Sequence, residues 1–170
     1  MILSKHIESK RELWERINQF EFDDLDSEFT FSQRLARENN WTLEFTLRVL
    51  FEYKRFIYLI CISDQPMTPS DSVDQAWHLH LLYTQSYWIG FCKETLGRDI
   101  HHGPTKGGKQ EKEKHRDYYI RTKKKYQEVF SEPPPEDIWP SEEIRFSEIR
   151  FARINLHRNW VIPKLKRKRL

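Results

Sequence analysis

Glycine is scarce in this 170-residue sequence, at five residues, and there are only two cysteines. Cys61 and Cys92 both fall within apolar helical patterns, and two thiols make no disulfide framework. The first ten residues, Met-Ile-Leu-Ser-Lys-His-Ile-Glu-Ser-Lys, lack the apolar core of a secretory signal. The thiols therefore read as reduced, in a cytoplasmic protein. Long apolar runs are missing as well. The longest, Phe56 to Ile62, spans seven residues, against the roughly 20 that a membrane-spanning helix needs. The strong catalytic and metal signatures are also absent: no C-x-x-C, no H-E-x-x-H and no G-x-S-x-G. Pro104-Thr105-Lys106-Gly107-Gly108 has glycines and a lysine but not the spacing of a phosphate-binding loop, and no internal repeat is present.

Charge and aromatic rings are plentiful. Charged residues make up 32% of the chain and aromatics 14%, a composition that argues for a folded, polar-surfaced domain rather than a disordered chain. The net charge of +3 is unevenly placed, because Lys164, Lys166, Arg167, Lys168 and Arg169 supply five positives within the last seven residues. A second basic stretch, 109–125, holds eight Lys/Arg against three acids. The organisation expected is one helical domain over 1–162 and a basic tail over 163–170. The tail Lys164–Arg169 could meet nucleic acid or another anionic partner through phosphate charge, or simply be solvated.

The apolar periodicity predicts an amphipathic surface helix over 2–20, built on Leu3, Ile7, Trp14 and Ile17, and a short helix from Phe31 to Glu38 stopped by Asn39-Asn40. A third helix over 42–62, started by Asn40 or Thr42, has little polar face near its end and reads as the buried centre. Arg48, Lys54 and Arg55 are expected to lay their stems along its edge and keep their charges in water. Ser70 or Ser72 caps the next helix, whose pattern runs to Leu96 with a break near Thr84, and Gly97 suits its C-terminus. Residues 109–130 form another helix, with a seam of Tyr119, Thr122, Tyr126 and Val129, stopped by Pro133-Pro134-Pro135. Residues 151–156 and 160–162 could be two strands around His157-Arg158-Asn159. The fold class is thus mainly α: a bundle of about six helices with a small C-terminal extended or β-hairpin segment.

The run from Asp74 to His80 sets an acid, two histidines and a tryptophan into an apolar helical pattern. Such groups cost free energy to bury unless paired. Residues four apart on a helix share a face, whereas residues two apart point about 200° away from each other. Asp74 therefore meets His78, and His80 goes with Trp77, Thr84 and Tyr87 in a polar cluster. For Asp74–His78 three readings stand. The pair could bind a divalent metal such as zinc, with His101 or His102 folding back to complete the set. Asp74 could orient His78 as an acid/base. Or the pair could be a satisfied hydrogen bond fixing the fold. Cys92 is a further soft candidate ligand that reads more simply as a small core residue.

The series Asp74-x-x-Trp77-His78-x-His80, then Tyr87, Cys92, Gly97 and Arg98, resembles the glycine-rich domain-containing protein-like family, whose plant members carry a similar D-x-x-W-H-x-H run. Bacterial relatives are similar also in Arg34-Leu35-Ala36-Arg37-Glu38-Asn39, Glu52-Tyr53-Lys54-Arg55-Phe56, His101-His102-Gly103-Pro104-Thr105-x-Gly107-Gly108 and Asp137-Ile138-Trp139-Pro140. The resemblance spans roughly residues 30–162 and implies a helical domain without carrying over any catalytic residue. The glycine-rich segment behind the family's name is missing here. The functions left open are a metal- or small-ligand-binding domain centred on Asp74, His78 and His101/His102, a protein-interaction module in which the cluster is structural, and a weak nucleic-acid binder acting through its basic tail.

Overall fold

α3 (Leu43–Ile62) is the element the others gather around: α1 (Ile2–Gln19), α2 (Phe31–Asn39), α4 (Asp71–Leu82) and α5 (Lys109–Phe130) all pack against it. The structure is a computed structural model. It describes residues 2–24, 26–104, 106–147, 154 and 157–162, with the backbone alone for 2–8. A π-helix (Gln85–Leu96) follows α4 and lies against α1, and the short α6 (Glu142–Arg145) sits on α5. No strand occurs among the described residues. Most of the expected hairpin falls outside them, and Trp160, Val161 and Ile162 are exposed and not in a strand. The tail Lys164–Arg169 also lies outside the described residues. No helix among those described is long and apolar enough to cross a membrane.

Local chemistry explains the boundaries. Thr30 caps α2 in a reciprocal capping box with Gln33, and Asn40 closes it in the left-handed region at φ 55°. Thr42 caps α3 and Ser70 caps α4, each accepting a backbone N–H three residues on. Tyr83 leaves helical geometry, with φ −88° and ψ 64°, and this ends α4. The chain then winds as a π-helix until Gly97 turns it at φ 68°.

The core is aromatic. Trp14 of α1 packs its ring on Phe51, Tyr58 and Phe130. Ile57, Leu59, Val73, Phe91 and Trp139 are among the buried side chains at the centre. α3 is less enclosed than its composition suggests: Leu43, Leu47 and Phe51 on its N-terminal half remain 47%, 52% and 39% exposed. Arg48 does keep its charge wet, in a bidentate pair with Asp137 at 2.6 and 2.8 Å. Arg55 instead goes inside. Its guanidinium lies over Phe51, Tyr126 and Phe130 and bonds the Tyr126 hydroxyl and Glu132.

Candidate metal centre

α4 is the platform of the site. Ser70 Oγ accepts the Val73 N–H at 3.3 Å, and Asp71 and Asp74 occupy the first turn, where the positive end of the helix favours carboxylates. Val73, Ala76, Trp77, Leu79 and His80 turn inward, so Asp74 and His78, one turn apart, come to the rim of the buried face.

The two rim residues are joined by a third from a distant loop. His102 Nε2 lies 2.8 Å from Asp74 Oδ1, and His78 Nε2 lies 3.9 Å from Asp74 Oδ2. The His102 ring stacks on His78 with centroids 4.7 Å apart and leans on the Trp77 indole at 4.2 Å. One donor atom from each of Asp74, His78 and His102 falls within 4.8 Å of the other two. Asp74 and His102 keep 21% and 17% of their side-chain surface exposed and His78 keeps 53%. The centre is therefore half-sheltered, with His78 on its open side. His101 is not part of it: the residue is exposed and its ring packs on Trp88 with centroids 5.5 Å apart.

The loop carrying His102 is tied down by the core. The Trp77 indole N–H donates to the Tyr87 hydroxyl at 3.0 Å, and that hydroxyl donates to the Ile100 carbonyl at 2.5 Å. Ile100 is two residues before His102, so the π-helix fixes the loop's entry through Tyr87.

His80 faces away from this centre. Its Nδ1 pairs with the Tyr53 hydroxyl at 3.1 Å and its Nε2 with Ser86 Oγ at 3.2 Å. Rings of Phe20, Phe22, Phe31, Tyr53, Tyr87 and Phe91 enclose it. Loss of solvation pushes its pKa down to about 3, so it is a neutral hydrogen-bonding core residue. Thr84 does not join this cluster. It is exposed and makes no capping bond, since the break at Tyr83 cancels the four-residue spacing to His80, and Ser86 takes the place expected of it. Cys92 is wholly buried, and burial raises its thiol pKa, as befits a packed side chain rather than a ligand.

A second buried polar group lies on α3, away from the Asp74 centre. Glu52, on α3, is 4% exposed. Its carboxylate accepts the Tyr126 hydroxyl at 3.0 Å and the Trp139 indole N–H at 2.8 Å, with Arg55 at 3.5 Å. Burial raises its pKa against the opposing pull of Trp139, Arg55 and Tyr126. The signal for Glu52 in the sequence is an acid flanked by Phe51 and Tyr53 within the apolar stripe of α3. The bonds clamp the segment after α5 to α3, and Lys123 adds contacts to the Trp139 and Pro140 carbonyls at 3.2 and 3.1 Å.

No curated protein and no solved structure matches the chain. A family model described as UCP032817-like does, over residues 14–134, a span that runs from α1 past the end of α5 and contains all three residues of the centre. With most of its length so matched, the chain belongs to the UCP032817-like family.

Proposed function

We propose that Asp74, His78 and His102 bind one divalent transition-metal ion, zinc being the first candidate, and that the protein acts as a metal-binding domain. The observation that carries this reading is the convergence of a carboxylate and two imidazoles, from a helix and a loop 24 or more residues away in sequence, within 4.8 Å. Ligands at about 2.0–2.2 Å from zinc in a tetrahedral set lie about 3.3–3.5 Å from one another. His102 Nε2 is 2.8 Å from one Asp74 oxygen, His78 Nε2 is 3.9 Å from the other, and the three donors lie within 4.8 Å of one another, so small side-chain rotations would close the set. His78, more than half exposed, has room to rotate inward and close the set. Imidazole and carboxylate donors suit zinc and its neighbours in the transition series better than calcium or magnesium, which favour oxygen.

Three protein ligands leave a coordination position open, the arrangement of metals that bind or activate a small molecule rather than only hold a fold. The Trp77–Tyr87–Ile100 chain would serve as the outer support that orients such ligands. The kinship with the glycine-rich domain-containing protein-like family belongs to the same proposal, since Asp74 and His78 are two of the polar positions in its D-x-x-W-H-x-H run.

The test is elemental analysis of purified protein after anaerobic loading and removal of free metal. A single equivalent is expected in the wild type and loss of it in Asp74→Ala and His102→Ala. Metal no higher in the wild type than in a folded variant overturns the reading.

A further inference from the structure

Asp74 and His102, though not His78, also face a cleft of about 520 Å³, within the size range of small-molecule sites. Trp77, Met67 and Phe146 supply apolar wall, from α4, the loop before it and the residue that closes α6. The first turns of α5 supply the facing polar wall, with Glu111, Lys112 and His115.

The charges on this wall are mostly spoken for. Glu111 pairs with Lys114 at 2.9 Å, and Arg145 pairs with Asp71 at 2.5 Å. His115 is held between the Thr68 hydroxyl, 3.2 Å from its Nδ1, and Glu111, 3.5 Å from its Nε2. Lys112 is exposed and forms no ion pair among the described residues. Among the described residues Asp74 is the wall's other charge without a lysine or arginine partner, and a divalent ion bound there would more than offset it. Metal and Lys112 together would give the cleft a positive end beside an apolar surface. That combination selects an oxyanion carried on an apolar body.

We propose that the cleft binds a small organic carboxylate, its oxyanion shared between the open metal position and Lys112 and its apolar body against Trp77, Met67 and Phe146. The proposal rests on the metal-centre reading above, and the experiment separates the two. Cobalt(II) replaces zinc in such sites and reports its ligands in the visible spectrum. The cobalt-loaded protein is titrated with benzoate, with acetate and with inorganic phosphate. Benzoate is expected to shift the cobalt bands saturably and to bind at least about tenfold more tightly than acetate, the difference made by burying a ring. Lys112→Glu should weaken benzoate about tenfold or more while cobalt stoichiometry stays at one. Cobalt uptake with bands that no anion moves overturns the carboxylate site and leaves the metal reading standing. Phosphate or acetate binding as tightly as benzoate overturns the apolar half of the proposal. Benzoate binding indifferent to Lys112→Glu removes the lysine from it. Failure to take up cobalt sinks both readings.

Discussion

The hydroxyl of Tyr87 donates to the carbonyl of Ile100 at 2.5 Å, and this bond fixes where His102 stands. Tyr87 is wholly buried in the π-helix, and the same hydroxyl accepts the Trp77 indole N–H. Scaffold and candidate site are therefore one construction. The polar residues on the inward face of α4 organise the loop whose histidine completes the rim.

Removing that hydroxyl tests the dependence. Tyr87→Phe leaves the Trp77 N–H and the Ile100 carbonyl without their buried partner, at a cost of about 1–3 kcal/mol in denaturant unfolding. A positioning role predicts more: metal affinity, measured by competition with a chromogenic chelator, should fall by about 10–100-fold. Lost stability with unchanged affinity would make Tyr87 a packing residue only.

His80 gives a pH signature in stability. Its folded pKa of about 3 lies below the ordinary value of about 6.5, so between those limits the unfolded chain takes up a proton that the folded chain refuses. Its contribution is complete above about pH 6.5 and is lost on acidification, by up to about 1.4 kcal/mol per pH unit. Glu52, whose folded pKa is raised, works in the opposite sense: its contribution is present at low pH and is lost as pH rises through the folded value. Urea unfolding at pH 7 and pH 5 should show the wild type losing more stability than His80→Gln. Equal losses would contradict the assignment.

The Glu52 network should be expensive to break. Glu52→Ala removes the buried acceptor for Tyr126 and Trp139 and the more distant of Arg55's two carboxylate partners, Glu132 remaining at 2.6 Å. The expected loss is about 2–4 kcal/mol, from two buried donors left without their acceptor, read by denaturant unfolding. Trp139→Phe in the Glu52→Ala background should cost less than it does alone, because the shared bond is already gone. Strict additivity would show that the two act independently.

Arg48–Asp137 is the contrasting case. Both side chains are about half exposed, at 48% and 50%, and the pair sits in water. Arg48→Ala should cost at most about 1 kcal/mol despite the short bidentate contact, with the effect shrinking further in high salt. A loss comparable to that of Glu52→Ala would show that the pair holds the segment after α5 by itself.

Much of this architecture was legible in the residue order because it is local. Thr30, Thr42 and Ser70 announce helix starts, Gly97 announces an end, and four-residue spacing brings Asp74 to His78. The break near Thr84 was also visible. The π-helical winding beyond it was not, since five-residue register is chosen by packing, here with Arg16 on the Thr95 carbonyl and Tyr87 in the core. That winding is why Ser86, not Thr84, meets His80. Sequence likewise left His101 and His102 equivalent. Only the anchored course of the loop decides which of two neighbours turns inward. Glu52 was overlooked because its partners, Tyr126 and Trp139, lie 74 and 87 residues away.

The most direct test of the central claim is a crystal of zinc-loaded protein, with anomalous scattering measured above and below the zinc edge. One strong peak is expected, about 2.0–2.2 Å from an Asp74 carboxylate oxygen and from Nε2 of both His78 and His102. Zinc bound elsewhere, or no peak at the α4 rim while His102 keeps its contact with Asp74, would contradict it.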